Sequence, residues 1–341
     1  METVWFCLVA VMIAVYVVLD GFDLGAGIVH LLVARSDAER RAVLASIGPV
    51  WDGNEVWLLA GGGTLYFAFP ALYASSFSGF YLPLMIVLWL LILRGISIEF
   101  RNHVHSLVWE PLWDAVFAGA SGLLAIFFGA ALGNVVRGVP LDRSGEFFLP
   151  LWTDFRAGKD TGILDWYTIL IAIAAFLALT LHGCLWVALK TEGPVEMRAH
   201  RFAIGVWWVL LLWTLCITFA SFRIQAHLQE SFAARPWGYV FPLSAILGLA
   251  GIRVLDGRRN GLEAFLCSCL FILGMLTSAA FGLYPYVLPS NADPALSMTV
   301  VNAAASSYGL RTGLMWFIPG MLLTSGYFIY TYRNFSGKVK V

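Results

Sequence analysis

Four carboxylates stand where a lipid-facing chain would carry none. Asp20 and Asp23 lie in the string VLDGFDLG over residues 18–25, and Asp52 and Glu55 lie in GPVWDGNEVW over 48–57. Both strings sit inside apolar segments of membrane length. A charged side chain near the centre of a bilayer costs about 2.5–3.5 kcal/mol on insertion scales. Acids in such places are paired inside a bundle, held by a partner protein, or part of a path for protons or ions. The spacing is i, i+3 in both cases, so each pair shares one helix face. Both faces are expected to turn inward, toward each other or toward Arg94 and Arg101 farther along the chain.

The elements that must position these groups are membrane helices. The chain has 341 residues, 60% hydrophobic and 12% charged, with a mean hydropathy of +0.80. Soluble domains carry about 25% charged residues, so this is an all-α integral membrane protein. Net charge is zero, which gives no electrostatic footprint for nucleic acid. Apolar windows of about 20 residues predict nine spans: 4–33, 47–70, 77–101, 112–135, 163–189, 201–222, 237–256, 262–285 and 309–332. The first lacks a basic leader and a small-residue cleavage site, and reads as a retained helix rather than a secretory signal. Two connections are long, one with LDRSGEF over 141–147, the other with Pro285, Pro289 and Pro294. Neither reads as an independent domain, so residues 1–341 form one polytopic unit.

Loop charges orient the spans. With the N-terminus outside, the inner connections hold 14 of the 21 lysines and arginines, among them Arg35, Arg40, Arg41, Lys190, Arg258, Arg259 and Lys340. The outer ones hold seven, including Arg137 and Lys159. By the positive-inside rule the C-terminus is cytoplasmic. Asp20 and Asp23 then lie about 24–28 Å along the first helix, at 1.5 Å per residue, in its cytoplasmic half. Asp52 and Glu55 open the second helix on the same side. The third brings Arg94, Glu99 and Arg101 there, and the fourth begins there with Asp114. Four helices thus converge their charges on one layer. Two readings fit it: a buried ion-pair network that staples helices 1 to 4, or a proton path with Asp and Glu as relay groups. Coupling-ion binding by a secondary transporter is a third. It is weakened by the off-centre position of the acids and by the absence of a repeated acidic motif in the second half.

Other chemistry is thinner. His30 and His182 fall within or near spans and could ligate haem iron, although a lone membrane histidine more often hydrogen-bonds within the packing. Trp51 and Trp57 flank the Asp52–Glu55 turn and could stack on a quinone ring; an interfacial aromatic belt explains them more simply. Cys7, Cys184, Cys216, Cys267 and Cys269 form no CxxC. Side chains at i and i+2 on a helix diverge by about 200°, so Cys267 and Cys269 make a poor metal clip. All five are expected to be buried small residues, and no metal site is expected. Phosphate-loop, nucleophile-elbow and HExxH signatures are missing from the sequence, so no catalytic residue is assigned to this chain. Gly21-x-x-x-Gly25, Gly129-x-x-x-Gly133 and Gly309-x-x-x-Gly313 could let helix backbones approach, and Gly61-Gly62-Gly63 should loosen or bend the second helix.

The strings VLDGFDLGAG (18–27), IGPVWDGNEVWL (47–58), LRGISIEFR (93–101), ALKTEG (188–193), YPYVLPS (284–290) and DPALSMTVVNA (293–303) run in order along nearly the whole chain. In them the chain resembles subunit II of the bacterial cytochrome bd-type quinol oxidases. The resemblance implies nine transmembrane helices, arranged as one four-helix bundle (about 4–135), a second (about 163–285) and one extra helix (about 309–332). It implies a place in a complex of the bacterial cytoplasmic membrane that takes electrons from quinol and reduces oxygen to water. Two b-type haems and one d-type haem would be held by subunit I, with no redox centre in this chain. A small accessory subunit and a structural quinone occur in some members. Carried over by position, Asp52 matches the family's proton-path acid, Asp20 and Asp23 its helix 1 acids, and Arg94, Glu99 and Arg101 its helix 3 motif. A purely structural scaffold is the alternative role.

Overall fold

A computed structural model describes residues 1–158, 161–256 and 261–339. Lys159, Arg258, Arg259 and Lys340, which entered the charge bias, lie outside the described residues. Among the described residues, a long helix overlaps each predicted span: α1 (Glu2–Val33), α3 (Trp51–Ala68), α5 (Tyr81–Phe100), α6 (Trp109–Arg137), α7 (Trp166–Lys190), α8 (Pro194–Ile224), α10 (Val240–Asp256), α11 (Gly261–Leu283) and α12 (Ser307–Asn334). Among the described residues eight candidate spans are long and apolar enough to cross a membrane. The count of nine is therefore not confirmed. The exception is α3, an 18-residue helix whose first turns carry Asp52, Asn54 and Glu55 and whose middle is three glycines, leaving little hydropathy.

Hydropathy missed three short helices, α2 (Asp37–Ile47), α4 (Pro70–Gly79) and α9 (Ala226–Ala234). A capping box starts α2: the Ser36 hydroxyl accepts from the Glu39 amide, and the Glu39 carboxylate accepts from the Ser36 amide. The glycine triplet does not interrupt α3. The break comes at Phe69, before Pro70 opens α4, where the missing proline N–H suits a first turn.

The core forms around α1, which packs on α3, α6, α7 and α11. Its crossing with α7 is backbone to backbone: a methyl group on Gly25 would strike Leu179 O and the Gly183 backbone, and one on Gly183 would strike Gly25 and Ala26. Gly129 and Gly133 likewise seat α6 on Ala172 and Thr168 of α7. Both motifs lie at helix contacts, as small residues must where backbones approach. The third motif is split, since Gly313 meets Phe67 and Trp5 while Gly309 faces only its own cap, Ser306. Phe22 of α1 stacks on Trp186 of α7 with centroids 3.9 Å apart, and both meet Phe265 of α11. Peripheral α12 has none of its most apolar window buried; Trp5 Nε1 ties it to α1 by donating to Leu310 O at 3.0 Å. The cysteine expectation needs correction. Cys184 is buried and Cys267 and Cys269 are half-buried, but Cys7 and Cys216 are exposed on outer helix faces.

The two long connections close one end of the bundle together. Val139 N donates to Pro289 O (3.0 Å) and Asn291 N to Val139 O (3.1 Å), while β1 (Tyr286–Leu288) pairs antiparallel with β2 (Met298–Thr299). Val139, Leu141, Phe147, Leu288 and Met298 bury beneath them with Trp5 and Phe69.

Candidate functional site

At the opposite end the charges of α1, α3, α5 and α6 do converge, in two clusters. In the inner cluster Arg94 of α5 grips Asp20 of α1 with both terminal nitrogens; Nη1 donates to Oδ2 at 2.8 Å, and Nη2 bonds Oδ1. Both residues are fully buried. One turn along α1, Asp23 is also fully buried, and its Oδ2 accepts from Asn54 Nδ2 at 2.7 Å. The same Asn54 nitrogen lies 3.3 Å from Leu19 O. The amide is fixed from behind by Tyr332 of α12, whose hydroxyl donates to Asn54 Oδ1 at 2.8 Å. Among the described residues, Tyr16 Oη, Asp23 Oδ1 and Arg94 Nε are buried around this cluster without a hydrogen-bond partner. An unpaired buried polar atom costs about 1–3 kcal/mol.

The outer cluster lies about 15 Å farther along α1, ten residues on at 1.5 Å each. Asp114 of α6 is its centre. It accepts from Arg101 Nε (2.6 Å), from His30 Nε2 (2.7 Å) and from Arg40 Nη1 (3.0 Å). Arg101 also donates to Asp37 Oδ1 at 2.7 Å, and Asp37 pairs with Arg41 at 2.6 Å. Helix α2 is thereby strapped across the ends of α1, α5 and α6. A second strap joins it to α8, where Arg198 lies 2.6 Å from Glu39.

This strap gives α2 an acid-sensitive fastening. The Arg198 guanidinium holds the Glu39 carboxyl below its ordinary value, as the hydrogen bond from Arg101 does for Asp37. A depressed folded pKa contributes stability above the unfolded value of about 4.3, and that stability is lost as pH falls through the folded value. Glu39→Gln, which keeps the capping box, is expected to loosen α2 by about 1 kcal/mol at pH 7, through loss of the ion pair and of the negative charge at the helix N-terminus. Hydrogen exchange should show α2 amides about fivefold less protected, with the wild-type protein matching the variant only in strong acid. Equal protection at pH 7 would remove the argument.

The predicted residues divide as follows. Asp20, Asp23, Arg94, Arg101 and Asp114 are buried and joined as above. Glu55 is half-buried, within electrostatic reach of Arg94, Asp20 and Asp52. Asp52 is exposed on the first turn of α3. The expectation that its face turns inward is corrected: Asn54 takes that direction. Glu99 is exposed on α5, its carbonyl 2.9 Å from His103 Nδ1, and takes no part in either cluster. Trp51 is half-buried with its ring against Gly95 of α5, whereas Trp57 is buried among Met12, Tyr16 and Phe328.

The sequence reading missed Asn54, Tyr332, Asp37 and Arg40, and the partnership of His30 with Asp114. Asn54 lies inside the WDGNE string, but an amide carries no charge and so gives no signal of this kind. It also missed a buried pair at the far end, where Arg137 bonds Asp165, the N-cap of α7, and reaches Asn134 Oδ1 at 2.7 Å. Both ring nitrogens of His182 are engaged: Nδ1 is 2.7 Å from Ser268 Oγ and Nε2 is 2.9 Å from Val18 O. Its ring stacks on Phe265 at 4.8 Å. His182 therefore has no nitrogen left for a haem iron, whereas His30 bonds Asp114 through Nε2 and its Nδ1 has no hydrogen-bond partner among the described residues. No cluster of three or more metal-ligating side chains occurs among the described residues.

A helical bundle with a buried layer of paired charges at one end defines a polytopic membrane protein with a polar interior. The profile described as cytochrome bd terminal oxidase subunit II matches residues 1–335. The chain belongs to that family, and so is a subunit of a quinol oxidase complex. It is 30% identical to the cytochrome bd ubiquinol oxidase subunit 2 of Bacillus subtilis, over 99% of this chain and 97% of that one. It is 29% identical to a probable cytochrome oxidase subunit 2 of Haemophilus influenzae, over 98% and 94%, and 27% identical to the cytochrome bd-I ubiquinol oxidase subunit 2 of Escherichia coli K12, over the same shares. The solved bd oxidase of Geobacillus thermodenitrificans has the same fold, with a TM-score of 0.74 over 98% of both chains at 16% identity.

Proposed function

We propose that this chain supports a haem-bearing partner subunit, which carries two b haems and one d haem and passes electrons from quinol to oxygen. Its own part is to deliver protons from the cytoplasm. The complex lies in the bacterial cytoplasmic membrane, with the N-terminus outside and the C-terminus inside, an orientation that the excess of lysine and arginine in the inner connections supports. The haems supply the redox chemistry; this chain's side chains bind, hold and pass protons. A structural quinone near Trp51 or Trp57 and a small accessory subunit belong to the same reading.

The observation that carries the proposal is a descent in burial. Asp52 is exposed, Glu55 one turn on is half-buried, and Asp23 and Asp20 are fully buried. The acids therefore lead from the aqueous end into the bundle. At the bottom stand the partnerless Tyr16 Oη and Asp23 Oδ1, atoms to which a proton-carrying water chain would bond. The two inner acids split the roles. Asp20, locked by Arg94, staples α1 to α5; Asp23, with one oxygen free of protein partners, takes and gives the proton.

The test is Asp23→Asn, which keeps the size and the contact with Asn54 but carries no titratable proton. Quinol-dependent oxygen uptake by the purified complex is expected to fall by about tenfold or more while haem content stays near wild type. Asp52→Asn should leave assembly intact and slow uptake less, because solvent bypasses an exposed relay. Loss of haem in Asp23→Asn would favour the scaffold role, and unchanged turnover would refute the relay.

A further inference from the structure

The string ALKTEG takes no part in the proton path, yet Lys190 within it is buried at 8% exposure. Its ammonium donates to Phe335 O and lies 5.6 Å from the centroid of the Trp186 ring. An ammonium has three donors, and among the described residues no carboxylate pairs with this one. Burying such a charge without an anion is costly.

The charge faces a cavity of about 200 Å³. Its walls come from the end of α2, the residues just before α3, the end of α7, the end of α12 and the chain after it. Two lysines line it, Lys190 and Lys338, with Ser46, Asn334 and Ser336 as neutral polar groups, and no acid. Lys338 pairs outside the cavity with Glu196 at 2.8 Å. The first turn of α3 has no side-chain cap at Val50, and the positive potential of its amides on this wall is offset in part by Asp52 in the same turn. The roof is the C-terminal segment. Gly337, at φ +91°, turns it back so that Val339 N donates to Lys190 O at 2.8 Å. Only glycine adopts that backbone region without cost.

We infer that this cavity binds a phosphate group, the headgroup of an anionic phospholipid. The volume is below the about 300–1,000 Å³ of pockets that enclose whole drug-sized ligands, and suits a headgroup rather than a ring system. The location favours lipid as the source. The cavity lies where α3 begins and α7 ends, at the level where a membrane helix leaves the hydrocarbon, and basic pockets between helix ends there hold anionic headgroups. Lys190 bonds neither charge cluster; the cavity meets the proton path only through Tyr332, which lines it and whose hydroxyl donates to Asn54.

The experiment uses the whole oxidase complex, delipidated in detergent, with thermal unfolding followed as short-chain phosphatidylglycerol, phosphatidylcholine or inorganic phosphate is added. Phosphatidylglycerol is expected to raise the unfolding temperature, and phosphatidylcholine to do so much less. In Lys190→Met the half-saturating concentration should rise about fivefold, the worth of one lysine near a headgroup, and Lys190→Arg should restore it. Lys338→Gln, on the exposed tail, keeps the test open if Lys190→Met fails to assemble, and should also weaken the response. A lysine-dependent response to inorganic phosphate alone would keep the phosphate site and overturn the lipid source. Identical responses in wild type and in the lysine variants would overturn the site.

Discussion

Arg94→Met is expected to abolish most assembled protein. The guanidinium bonds Asp20 with both terminal nitrogens. Both partners of that bond are fully buried. Removing one partner of a buried pair costs about 3–5 kcal/mol, because the other charge is left uncompensated. Native domains are stable by only about 5–15 kcal/mol, so the loss of this one pair is a large fraction of the whole. The double variant Asp20→Leu/Arg94→Met should recover much of the loss, since apolar replacement of a whole buried pair is often close to neutral. The measurement is the fraction of haem-loaded complex surviving a temperature ramp in detergent. Recovery would establish that Asp20 is a staple whose charge is dispensable for folding. If the single variant is as stable as wild type, the pair does not hold α1 to α5.

The convergence of charge at one end was legible because its causes are local. Apolar runs fix where helices start and stop, and alternating direction then sends every second helix end to the same side. The face each residue presents was less legible. Asp20 and Asp23 were placed correctly as a pair because both needed burial. On α3 the same logic chose Asp52 and Glu55, yet Asn54 is the residue that turns inward. Two positions along a helix are about 200° of rotation, and the glycine triplet leaves α3 without an apolar stripe that would set its phase. Partnerships across long separations, such as Tyr332 with Asn54 or His30 with Asp114, leave no local trace. The exposure of Cys7 and Cys216 shows a limit peculiar to membrane chains. An apolar side chain facing lipid costs nothing, so hydropathy marks a span without saying which of its faces is the core.

The crossing of α1 and α7 is where a single methyl group is expected to do the most steric damage. In Gly183→Ala the new Cβ would meet Gly25 and Ala26 backbone atoms, which cannot swing aside as a side chain can. The helices must separate, and overpacking of a well-packed core costs about 1–3 kcal/mol, more where only backbone can yield. The consequence reaches the site, because Gly25 lies two residues after Asp23 and the neighbouring His182 hydrogen-bonds Val18 O, two residues before Asp20. Displacing α7 therefore drags the segment of α1 that carries both acids. Expected results are a large fall in assembled complex and, in what remains, loss of oxygen uptake out of proportion to the haem retained. Gly205→Ala in α8 is the control. Nothing lies within 4 Å of its added carbon, so it should stabilise by about 0.5–1 kcal/mol through the better helix propensity of alanine. If the two variants assemble equally well, the backbone contact of α1 with α7 is not what fixes Asp20 and Asp23 in the bundle.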